Sequence, residues 1–138
     1  MTVHEKNAWV YLVLAITIST IYVVVVFGQL PTTPVDQIDY LPALATAIIA
    51  AIVVGIVVGM VLGATSRDRA RTDERDALIT RRGELVGYYV LSAGVIGALA
   101  LVLTEQPYFW IAQAIYGAFV ISAIASSVVK LVAYRRGF

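Results

Sequence analysis

Residues 43–63 run Ala-Leu-Ala-Thr-Ala-Ile-Ile-Ala-Ala-Ile-Val-Val-Gly-Ile-Val-Val-Gly-Met-Val-Leu-Gly. Alanine or glycine stands at every fourth position, Ala43, Ala47, Ala51, Gly55, Gly59 and Gly63, and apolar side chains fill most of the space between. At 3.6 residues per turn these positions form one slowly drifting stripe along a helix, with no side chain larger than a methyl. In water each glycine would weaken such a helix by about 1 kcal/mol relative to alanine. In a membrane, where unpaired backbone groups are costly and helix is enforced, the same stripe lets a second backbone approach closely. The stretch therefore predicts a transmembrane helix that serves as a packing spine.

The flanking chain has the same character. Four apolar stretches, at about 8–27, 40–65, 85–103 and 108–133, meet the length of roughly 20 helical residues that a hydrocarbon layer demands. Of the 138 residues 60% are hydrophobic and 14% charged, where a soluble domain carries about 25% charged residues. Continuous apolar runs also lack the in/out alternation of a barrel strand. The expected fold is all-α and membrane-embedded, one domain over residues 1–138, with four transmembrane helices arranged as two antiparallel hairpins. The first stretch is too long for the apolar centre of a signal peptide and ends in Val-Val-Val-Val-Phe, so it reads as an uncleaved span.

Charge placement predicts the topology. The connection 28–39 contains Pro31, Pro34, Asp36 and Asp39 but no Lys or Arg. The loop 66–84 holds six arginines (Arg67, Arg69, Arg71, Arg75, Arg81, Arg82) and five acids (Asp68, Asp73, Glu74, Asp76, Glu84). Positive residues in short loops stay on the cytoplasmic side. With the arginine-rich loop inside, Lys6, Lys130, Arg135 and Arg136 fall on the same face. The expected location is the cell (inner) membrane, multi-pass, with both termini cytoplasmic.

Small residues recur in the later spans, as Ala93/Gly97 and Gly94/Ala98 in the third and Ala114, Ala118, Ser122 and Ser126 in the fourth. Stripes in three spans exceed what a minimal bundle needs, which points to a homo-oligomer. The residues expected in helix packing or an oligomer interface are Ala47, Ala51, Gly55, Gly59, Gly63, Ala114, Ala118 and Ser122.

The inner loop opposes its arginines with acids and has no aromatic between them, so it is not a nucleic-acid surface. Mixed signs three and four residues apart suit a helix laced by its own ion pairs, such as Arg71 with Glu74 or Arg81 with Glu84. Two readings remain: a solvated helical extension of spans two and three, or a surface that docks a cytoplasmic protein. Near the bilayer its basic residues also attract acidic lipid headgroups, at about 1 kcal/mol each.

The chain has no cysteine and one histidine, His4 in the N-terminal tail, so neither a metal site nor a cofactor is expected. Ser92, Ser122, Ser126 and Ser127 have no histidine in the spans to activate them, which argues against an enzyme. Small hydroxyl residues in membrane helices instead bond to a carbonyl of their own helix or pack on a neighbour. No charged residue lies in mid-span, contrary to the pattern of ion-coupled transport, and Lys130 is near enough to the cytoplasmic end to snorkel. Gln113, Thr17, Ser19, Thr20 and Thr46 are the polar interior candidates, with interhelical hydrogen bonding as their role.

Asp73-Glu74-Arg75-Asp76, followed by Ile79, Arg82, Tyr88 or Tyr89 and Leu91 at the start of a span, resembles a family of prokaryotic integral membrane proteins of unknown function. That family is marked by an Asp-Glu-Arg-Asp cluster before a Tyr-containing span. Its members often lie beside small helix-turn-helix regulators, so the resemblance implies a membrane-linked regulatory role. It supplies no catalytic or binding residue; Asp73, Glu74, Arg75, Asp76 and Arg82 are the positions that match.

The leading functional expectation is a non-enzymatic scaffold, sensor or regulatory subunit that presents Asp73, Glu74, Arg75, Asp76 and Arg82 to a cytoplasmic partner. The alternative is a small-solute or lipid channel or carrier formed between subunits.

Overall fold

The computed structural model describes residues 3–65 and 74–136. Those residues form four helices and no strand: α1 (Val3–Phe27), α2 (Leu41–Thr65), α3 (Glu74–Leu103) and α4 (Tyr108–Arg136). All four are long and apolar enough to cross a membrane, which makes this the all-α, multi-pass architecture the hydropathy predicted. Helix ends fall at Phe27, Thr65, Leu103 and Tyr108, where the apolar runs stop. Pro42 occupies the first turn of α2, where its missing N–H leaves no bond unmade. At the arginine-rich end α1, α3 and α4 all run past their apolar stretches.

The α3–α4 turn shows how a four-residue connection is made. The Gln106 N–H donates to the Leu101 carbonyl at 3.0 Å and the Glu105 N–H to the Val102 carbonyl at 3.1 Å. This is the paired bonding of a Schellman cap. Glu105 takes the left-handed position at φ 54°, which glycine would occupy without strain. Pro107 then forbids continuation, and its carbonyl accepts from the Trp110 N–H at 3.0 Å as α4 begins.

The helices pack in the spatial order α3, α4, α1, α2. The centre of the molecule is therefore the α1–α4 pair, and α2 is peripheral, packed principally on α1. Near the turn end, Tyr22, Val26, Ile38, Ala47 and Phe109 form the largest buried cluster. Ile38, delivered by the 28–39 connection just after a short 3-10 turn (Val35–Gln37), is 5% exposed. Phe109 is surrounded by rings, with Tyr40 at 5.4 Å, Trp110 at 5.1 Å and Phe27 at 6.1 Å. Near the other end a smaller cluster joins Ala8 and Leu12 of α1 to Leu131 of α4.

Candidate functional site

Two regions of this fold carry chemistry beyond apolar packing: the arginine-rich end, where α1, α3 and α4 meet, and the seams between the helices. At the arginine-rich end, α3 begins at Glu74 and continues into its span without interruption. This is the helical extension of span three that its charge pattern suggested. It is not wholly solvated, because Ile79 and Gly83 are buried against the neighbouring helices. The spacing of Asp76, Ile79, Gly83 and Gly87 places them on one face.

That face is held by polar contacts at two heights. Asp76 Oδ2 lies 4.0 Å from His4 Nε2 of α1. The buried Tyr134 hydroxyl of α4 has Asp76 and Thr80 as its polar neighbours, without a well-formed hydrogen bond to either. Two turns on, Glu84 faces Lys130 of α4 at 3.7 Å, so its ion pair runs to another helix rather than to Arg81. On the α1–α4 side, the Arg135 guanidinium sits 5.5 Å from the centre of the Trp9 ring, a cation–π geometry. Glu74, Arg75, Arg81 and Arg82 are exposed.

Of the residues expected to meet a partner, Glu74, Arg75 and Arg82 thus face outward, whereas Asp76 turns into the joint between α1 and α4. Asp73 lies outside the described residues, as do Arg67, Asp68, Arg69 and Arg71, and with them the proposed Arg71–Glu74 pair. The inward role of Asp76 was legible in principle: Ile79, Gly83 and Gly87 continue its face into the small-residue seam. His4 and Tyr134 were not, because nothing local to either residue names the other helix.

The tightest seam is α3–α4. Ser122 donates from Oγ to the Gly87 carbonyl at 2.7 Å. A Cβ built at Gly87 would lie 3.1 Å from Ser126 Cβ, and one at Gly94 would collide with the Ala118 methyl. Ala118 and Ser122, with Ser126, therefore pack within the chain against the glycines of α3. Ala114, one turn before Ala118, is half-buried on the same helix. Gly97, the four-residue partner of Ala93, faces open space.

The α2 stripe is divided. Ala47 is buried on α1, but Ala51 and Gly59 are exposed and Gly55 and Gly63 only half-buried. The Tyr11 hydroxyl of α1 reaches within 3.5 Å of the Gly55 carbonyl. Beyond it Gly59 and Gly63 line an open groove with Ile56 and Met60. The stripe expected as the spine thus keeps only partial contact with α1, Tyr11 reaching Gly55 and the Gly59 position while Gly63 opens to the groove, because a four-residue period drifts around a helix of 3.6 residues per turn.

The polar interior residues divide as well. The Tyr22 hydroxyl donates to Gln113 Oε1 at 2.9 Å, joining α1 to α4, while the buried Gln113 Nε2 has no partner. Ser19, Thr46 and Ser92 instead donate to carbonyls four residues back in their own helices, at 2.6, 2.7 and 2.9 Å. Compared with known proteins, the chain matches no family model, no curated protein and no solved structure.

Proposed function

We propose that the protein is a non-catalytic scaffold or regulatory subunit of the cell (inner) membrane, whose third helix is a post for docking a cytoplasmic protein. The carrying observation is the length and anchoring of α3. Its 30 residues span about 45 Å at 1.5 Å per residue, against about 30 Å of hydrocarbon, so about ten residues stand clear of it. Those residues are held on one side through Asp76, Ile79 and Gly83 and expose Glu74 and Arg75 on the other. A surface already ordered loses little conformational entropy when a partner binds.

The positive-inside rule orients this post and both termini toward the cytoplasm. The resemblance of residues 73–91 to membrane proteins found beside transcription regulators supports a regulatory partner. The rival, a channel or carrier between subunits, draws support from the open Gly59–Gly63 groove of α2.

A photo-crosslinking side chain at Arg75 in living cells tests the proposal. The expected result is a discrete protein adduct that disappears when Glu74 is reversed in charge. No adduct, or an adduct indifferent to that reversal, removes the docking role. Solute flux through vesicles that Gly59→Leu abolishes would establish the rival instead.

A further inference from the structure

The docking post accounts for the first turns of α3 but not for the next two, where an exposed basic residue sits above exposed aromatics. We propose that α3 between Arg81 and Tyr89 is a binding site for the headgroup of an anionic phospholipid. Depth is the first argument. Counting back from Leu103 at the turn end, about 20 residues fill a 30 Å hydrocarbon layer and end near Glu84. Arg81 then lies about one turn, roughly 5 Å, beyond the hydrocarbon, at headgroup level. Leu85 stands at the boundary, and Tyr88 and Tyr89 lie just within it, where amphipathic rings favour the interface.

Direction is the second argument. Gly83 and Gly87 define the face of α3 that touches α4, and the residues in question point the other way. Leu85 is 50% exposed, Tyr88 66% and Tyr89 62%. The two rings meet edge-on at 5.8 Å, and their hydroxyls are hydrogen-bond donors on the same side of α3, about two turns below Arg81. The same side continues down the span through exposed Ile96 and Leu99, a face that no other helix among the described residues covers.

Charge is the third. The acids of this part of α3 are engaged elsewhere, Asp76 near His4 and Tyr134, and Glu84 at Lys130. Glu74 shares the outward side but lies about 10 Å further from the bilayer along the helix. The charge presented at headgroup depth is therefore basic, complementary to a phosphodiester. A second copy of the chain fits less well. Copies inserted in the same direction and related by a two-fold axis would set Arg81 against its own equivalent.

The test uses the full chain purified in detergent, with retained lipid counted by native mass spectrometry after adding phosphatidylglycerol or phosphatidylcholine. Phosphatidylglycerol should be retained in preference, and Arg81→Gln should lower its retention about fivefold, the worth of one basic residue at an anionic surface. Tyr88→Phe with Tyr89→Phe, which keeps both rings, should lower it further with helix content unchanged. Lys6→Gln on α1 should leave it unaffected. Equal retention of the two lipids, or indifference to Arg81→Gln, overturns the site. Displacement of the lipid by inorganic phosphate would identify a free-anion site and also overturns it. So does a disulfide-linked dimer of Leu85→Cys, or a protein adduct from a photo-crosslinker at Leu85. The docking proposal is read at Arg75, so the two can fail separately.

Discussion

Glu105 is the residue at which the chain accepts strain. A side chain at φ 54° meets a left-handed conformation that costs a non-glycine residue about 1–2 kcal/mol, and the turn retains it because two backbone bonds close around it. Glu105→Gly should therefore stabilise the α3–α4 hairpin by about 0.5–1 kcal/mol, part of the relief being offset by the added freedom of the unfolded chain. Thermal unfolding in detergent measures this, and a lowered midpoint would contradict it. At Tyr22 the sign is reversed. Its hydroxyl supplies the bond to Gln113, and Tyr22→Phe leaves that side chain without an interhelical partner. The expected loss is about 0.6–1.7 kcal/mol, from the average to the maximum of interhelical hydrogen bonds measured in a membrane protein. The same unfolding experiment reports it. That Gln113 is an interhelical partner was legible from its chemistry; that Ser19 and Thr46 bond within their own helices was not, since a hydroxyl can serve either role.

Among the helices, α3 and α4 pair most closely because glycine on one meets alanine and serine on the other. Gly94→Leu must push Ala118 away, and overpacking a closed seam costs about 1–3 kcal/mol. Gly97→Leu, three residues on, enters open space and should change stability by less than about 0.5 kcal/mol. Unfolding of the two variants side by side distinguishes them, and equal effects would mean that the seam lies elsewhere. Both glycines belong to four-residue small pairs in the sequence, so the pattern could not rank them. It records where bulk is missing on a helix, not which helix comes to fill the space. The same gap explains why α2, with the longest stripe, is peripheral.

For the whole molecule, the concentration of basic residues at one end makes orientation the decisive property, and the absence of cysteine makes it simple to read. A membrane-impermeant maleimide should label Glu105→Cys from outside intact cells and Arg136→Cys only after permeabilisation. The opposite pattern would place the docking post outside and defeat the proposed function. If both proposals hold, two surfaces of one helix are separated by depth: the first turns of α3, clear of the hydrocarbon, would serve a protein, and the next two, at the headgroups, a lipid.

Four helices, their limits near Phe27, Thr65, Leu103 and Tyr108, and the gathering of charge at one end follow from sequence alone. These depend on local quantities: apolar length, backbone hydrogen bonds that lipid forces into a helix, and proline or charge where a helix must leave it. The order of helices, the meeting of Asp76 with His4 and Tyr134 in particular, and the division of the α2 stripe were decided only in the tertiary structure. Each depends on which surfaces meet across the bundle, and close packing selects those from the combined shapes of several helices rather than from the period of any one.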